Sequence, residues 1–94
     1  MVTIIARVQT PYELGRVVRD RRRRLGLTQD GVARRVGVSR QWMISLETGR
    51  ARLEFGLVLR TLSALGLALD LVEDQAEPTA TRDIDLDALI KGRS

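Results

Sequence analysis

Enzyme chemistry has few footholds in this sequence. It contains no histidine and no cysteine, which removes the imidazole base, the thiolate nucleophile, the disulfide and the Cys/His metal set together. Carboxylates gather only at Asp83, Asp85 and Asp87, inside a polar C-terminal stretch that lacks the rigidity catalytic geometry requires. The expectation is a protein that is not an enzyme and that uses no cofactor or metal. A different chemistry is concentrated between Ser39 and Thr48. If that segment is helical, Met43 and Leu46 mark its inner side, and the opposite side carries Gln41, Ile44, Ser45 and Thr48 with Arg40 at the leading end. An arginine fork fits the edge of guanine, a glutamine amide fits adenine, and an aliphatic group can touch a thymine methyl. Such a face is suited to reading base edges in a major groove.

A reading face works only if other elements hold it. Ser39 is a cap for a helix from Arg40 to Thr48 that stops at Gly49, and Thr28 caps a short helix from Gln29 to Val36 that stops at Gly37. Only Gly37 to Ser39 lies between them, the spacing of a helix-turn-helix whose second helix enters the groove. Upstream, Thr10-Pro11-Tyr12-Glu13 is a helix start with a cap, a proline at the first turn and a capping-box glutamate. That first helix places Leu14, Val18 and Leu25 on one stripe and ends at Gly26. A fourth helix is expected over about residues 53 to 65, with Phe55, Val58, Leu59, Leu62 and Leu65 inward and Gly66 as its stop. Val32, Ala33 and Val36 complete the interior. Arg22 lies on the inner stripe of the first helix and Glu47 near the inner edge of the third. A charge aimed inward needs a partner, so a structural ion pair between these two is favoured over a direct role for either on DNA. Arg23 and Arg24 are read as solvated charge. For Trp42 two readings stand open, packing on phosphate or sugar and resting as an exposed ring against the second helix.

The expected fold class is all-α, a compact four- to five-helix helix-turn-helix domain with a short C-terminal β-strand that pairs across a dimer. Leu67, Leu69 and Leu71 alternate onto one side of that strand, and the β-branched Val2 to Val8 is a weaker strand candidate. One or two strands cannot form a stable sheet alone, so pairing between protomers is preferred to an ordinary core strand. The chain divides into residues 1–9, an N-terminal extension; 10–66, the helix-turn-helix domain; 67–73, the dimerisation strand; and 74–94, a flexible acidic tail. Charge divides too: residues 1–60 hold 13 Arg against 5 acids, while residues 61–94 hold 3 basic residues against 7 acids. The basic part suits a polyanion. No apolar run approaches the ~20 residues of a membrane span and the N-terminus lacks the pattern of a signal peptide, so a cytoplasmic protein without a membrane partner is expected.

Gly26-Leu27-Thr28-Gln29, Ala33, Gly37-Val38-Ser39-Arg40-Gln41 and Leu46-Glu47-Thr48-Gly49-Arg50 together resemble the Xre family, the Cro and phage-repressor helix-turn-helix group, over about residues 12 to 66. The resemblance implies a transcriptional repressor in which Gln29, at the start of the second helix beside its cap Thr28, contacts phosphate. It further implies that Ser39, Arg40, Gln41, Ile44 and Ser45 face bases or nearby backbone, and that Arg50 and Arg52 hold phosphate. Gly31 and Trp42 depart from the family pattern: an acidic residue usually completes the box with Thr28, and a small polar residue usually stands in place of the tryptophan. The N-terminal addition, with Leu57 to Glu73 and its final Leu-x-Leu-x-Leu, makes nearly the whole chain similar to HipB-type antitoxins. That likeness implies a homodimer on a near-palindromic double-stranded operator and a HipA-type kinase toxin as partner. The alternative is a stand-alone Xre-type repressor of phage or metabolic genes.

Overall fold

The structure, a computed structural model, describes residues 5–74. Four helices follow one another: α1 (Pro11–Arg24), α2 (Gln29–Val36), α3 (Arg40–Thr48) and α4 (Phe55–Ala64). Each of the first three begins where a hydroxyl can satisfy an orphan amide. Thr10 accepts from the Glu13 amide at 3.1 Å, Thr28 from the Gly31 amide at 2.9 Å and Ser39 from the Trp42 amide at 3.0 Å. Glu13 returns half of its box one residue early, accepting from the Gln9 amide at 2.7 Å. Gly31 has no side chain with which to return the bond to Thr28, so α2 keeps a single-sided cap.

The four helix ends share one device. After each, a glycine at positive φ turns the chain, and the next amide donates back to a carbonyl five residues earlier: Leu27 to Arg22, Val38 to Ala33, Arg50 to Ser45 and Leu67 to Leu62, all between 2.8 and 3.0 Å. Three of those returning residues, Leu27, Val38 and Leu67, pack against the core. The same device explains a correction. Leu25, expected on the inner stripe of α1, is the residue after the last helical turn and is exposed; the chain turns at Gly26, and Leu27 takes the place over the core.

Val18, Val32, Ala33, Val36, Met43, Leu46, Val58, Leu62 and Leu65 form the core. α1 packs across α3, and α2 packs on both α3 and α4. α4 departs from expectation in its facing. Phe55 and Leu59 are exposed, while Thr61 is fully buried with its hydroxyl donating to the Leu57 carbonyl at 2.8 Å. At ~100° per residue, Val58, Leu62 and Leu65 centre an arc that includes Thr61. Phe55 and Leu59 sit on its flank. The helix also starts later than residue 53, because Glu54 is the extended residue before it and Leu53 packs on the core from the preceding turn.

No strand is present among the described residues. Residues 67–74 follow α4 without regular structure, so the strand expected at 67–73 is not formed in the single chain. The described part of the N-terminal extension, residues 5–9, is likewise irregular. Asp74 joins the two segments: its carboxylate accepts from Arg7 Nη2 at 2.6 Å and from Gln9 Nε2 at 3.4 Å. Residues 1–4 and 75–94 lie outside the described region, and with them most of the acidic tail and the Asp83, Asp85, Asp87 cluster. No helix among the described residues is long and apolar enough to cross a membrane.

Candidate nucleic-acid interface

The site is built on α3 and on what fixes it. Its buried side is Met43, Leu46 and Glu47. Gly15 of α1 sets how near the two helices approach, since a Cβ there would lie 2.5 Å from the Leu46 carbonyl oxygen and 2.6 Å from that of Glu47. Only a glycine lets the backbones meet so closely. Just past the end of α3, Gly49 does the same against Tyr12, where an added Cβ would stand 2.8 Å from the tyrosine Cα. Helix-turn-helix spacing alone gives Gly15 no role, although a glycine inside a helix, costing ~1 kcal/mol relative to alanine, is itself a sign of close packing.

Glu47 is the second fixture. Arg22 Nε donates to its Oε2 at 2.6 Å and Nη2 to its Oε1 at 3.0 Å, while Nη1 donates to the Leu27 carbonyl at 2.9 Å. Both side chains are buried. The Glu47 hydrogen bonds raise the Arg22 pKa, and the nearby negative charge adds to the effect against the opposing cost of burial. The guanidinium is therefore charged throughout the working pH range. Gln29, the first residue of α2, sends its Nε2 to Glu47 Oε1 at 3.1 Å. One carboxylate thus ties α1, α2 and α3 together. Sequence spacing gave no sign that Gln29 would spend its amide this way, because the contact joins residues 18 apart on different helices.

Outward from these fixtures, Arg40 and Gln41 are exposed and Ile44 and Ser45 are half-buried. The side chains of Arg40 and Gln41 make no hydrogen bond among the described residues, so their donors and acceptors are free. Thr48 turns its hydroxyl back to the Ile44 carbonyl at 2.8 Å. Ser39 and Thr28 serve as caps, at the ends of α3 and α2 that lead the motif. Trp42 is half-buried against the core, which is packing of its ring on protein. Arg50 and Arg52 are exposed beyond α3. Leu67 is half-buried on the core, whereas Leu69 and Leu71 are 49% and 86% exposed in the single chain.

A family model described as a helix-turn-helix domain matches residues 13–75. The chain belongs to the helix-turn-helix domain family. This helix-turn-helix protein is 35% identical to the HTH-type transcriptional regulator y4mF of Sinorhizobium fredii over 66 residues, covering 70% of this chain and 87% of the relative. It is 48% identical over 50 residues to an HTH-type transcriptional regulator of Methanothermobacter thermautotrophicus, covering 53% of this chain and 72% of that one. At that level it is an HTH-type transcriptional regulator. Among solved structures, the chain is similar to one from the HipA-HipB-O2-O3 complex and to one from a HipB-O4 20mer complex. Each has a TM-score of 0.70 at 18% identity, covering 76% of this chain and all of the other. That likeness is one of fold.

Proposed function

We propose that this protein is a DNA-binding repressor that acts as a homodimer on a near-palindromic operator. The observation that carries the proposal is the outer side of α3, where Arg40 and Gln41 keep free polar groups on a helix whose position is locked by Gly15 and by the Arg22–Glu47 pair. In this reading Arg40, Gln41, Ile44 and Ser45 meet base edges. Ser39, Thr28, Gln29, Trp42, Arg50 and Arg52 meet the flanking backbone, Gln29 through what its bond to Glu47 leaves free. The dimer forms through Leu67, Leu69 and Leu71, whose strand finds in the second protomer the partner that a single chain lacks. Two copies of α3 then enter successive major grooves, which sets half-sites ~34 Å apart or at a multiple of that spacing.

The test is a specificity profile. Arg40→Ala and Gln41→Ala are each expected to lose ~1 to 3 kcal/mol at one base position of the operator. Arg50→Ala is expected to weaken all duplexes alike and reduce the salt slope by ~1. Base preference left unchanged by both α3 substitutions would overturn the groove assignment.

The finer reading is an antitoxin of a HipBA-type pair that represses its own operon and binds a HipA-type kinase. It is supported by the fold likeness to HipB and by the acidic C-terminal part, which a phosphate backbone repels and a protein partner can receive. The second reading, a stand-alone repressor, draws support from the curated relatives, whose names speak of transcriptional regulation alone. A kinase-like reading frame beside this one, whose product forms a stable complex with the chain, is the expected result for the antitoxin. A neighbouring kinase that forms no complex decides for the repressor.

A further inference from the structure

Six of the 13 described arginines are already occupied. Arg21 donates to the Leu65 carbonyl and Arg60 to that of Val36, Arg22 holds Glu47, Arg34 pairs with Asp30, Arg7 with Asp74, and Arg16 lies over the Tyr12 ring. Of the seven left, only Arg19 and Arg23 line a common concavity. They stand one turn apart on α1, both exposed, and neither makes a hydrogen bond or ion pair among the described residues. Together they border an open concavity of about 370 Å³ whose remaining lining is Arg22, Gln29, Glu47 and Thr48. Within that lining Arg22 and Glu47 neutralise each other, so the net charge of the notch is that of the two free guanidiniums.

The location of the notch identifies the anion. Gln41, Ser45 and Thr48 succeed one another along a single face of α3, so Thr48, in the wall of the notch, is the far end of the face that begins at Gln41. Seven residues of helix cover ~10 Å, close to the ~12 Å width of a major groove. A helix that meets bases with its first turn therefore brings its last turn to the groove edge, where phosphates stand. We propose that Arg19 and Arg23 hold a phosphate group in this notch, and that it is a backbone phosphate of the duplex read by α3. α1 then belongs to the DNA footprint as well as to the scaffold. This inference rests on the DNA-binding reading and extends it to a helix outside the motif.

The test uses the full chain carrying Arg19→Ala and Arg23→Ala together, two exposed truncations that leave the Arg22–Glu47 pair in place. Binding is measured over about 50 to 200 mM salt, to a duplex selected from a random pool by the wild-type chain and to a scrambled duplex of equal length. Each lost phosphate contact makes the slope of log K against log salt shallower by ~0.9, which is ~8-fold in affinity near 0.1 M salt. The expected result is such a change, of one contact or two, on both duplexes alike, with recovery in the Arg19→Lys, Arg23→Lys chain. A slope equal to that of the wild type overturns the proposal. If the wild-type chain shows no salt-dependent duplex binding, the DNA-binding reading itself fails, and a second arm decides the notch. Inorganic phosphate is titrated into the full chain while the arginine Nε–Hε signals are followed by NMR. Saturable shifts confined to Arg19 and Arg23 would retain the notch as a site for free phosphate, and their absence would remove it.

Discussion

Truncating Glu47 leaves the Arg22 guanidinium buried with only the Leu27 carbonyl as an acceptor, and an uncompensated buried charge costs ~3 to 5 kcal/mol. Glu47→Leu is therefore expected to lower unfolding stability by about that amount, read from a urea melt. Arg22→Met should cost a similar amount through the stranded carboxylate. The double variant should recover most of the loss, because a well-packed apolar pair avoids the desolvation that the ion pair has to offset. A double variant no better than the sum of the singles would mean that the bonds to Leu27 and Gln29, not the pair itself, hold these helices. Inward placement of the two charges was legible from helical spacing, since Arg22 falls on the stripe of Leu14 and Val18 and Glu47 adjoins Leu46. The three-way junction with Gln29 was not, because periodicity describes each helix separately.

At the scale of elements, the α1–α3 crossing depends on the missing side chain at Gly15. Alanine there gains ~1 kcal/mol of helix propensity, but its Cβ would stand 2.5 Å from a backbone carbonyl oxygen that cannot swing aside as a side chain would. The crossing must open, and overpacking of this kind costs ~1 to 3 kcal/mol. Gly15→Ala is expected to be destabilising on balance and also to reduce operator affinity, because α3 moves relative to α2. Equal or greater stability in a denaturant titration would show that the helices can separate without penalty. The facing of α4 is also set at this scale. Leucine and phenylalanine positions alone suggest a broad apolar stripe, and only packing against α2 shows that its centre runs through Val58, Thr61, Leu62 and Leu65.

For the whole molecule, one protomer leaves Phe55, Leu59, Leu69, Leu71 and Val72 exposed, and the proposed dimer gives Leu69 and Leu71 somewhere to go. Leu69→Asp places a charge where the second protomer should bury a leucine. It is expected to yield a folded monomer in analytical ultracentrifugation, since the helical core makes no use of that side chain, and to bind operator much more weakly because one half-site contact is lost. An intact dimer in this variant would take the strand out of the interface. The uneven charge of the two chain halves makes a companion expectation. Duplex affinity should fall steeply with salt, governed by the basic residues 1–60, and a salt-independent affinity would contradict the polyanion reading.

The sequence by itself determined what is local: the three hydroxyl caps, the glycine stops, the two short helices separated by three residues, and the Arg, Gln and aliphatic chemistry on the outer side of the third helix. These follow from the bonding of neighbouring residues and from the 3.6-residue period, which the order of amino acids specifies without reference to anything distant. Tertiary structure alone decided that Gly15 admits a carbonyl of α3, that Gln29 is drawn to Glu47, that Trp42 rests on the core and Phe55 does not, and that Arg19 and Arg23 are left free around a notch. Each depends on which faces meet and how closely, a property of pairs of helices that no single helix encodes. The proposed strand at residues 67–73 lies a level higher still. Its hydrogen bonds require a partner strand, and in one chain the described residues supply none.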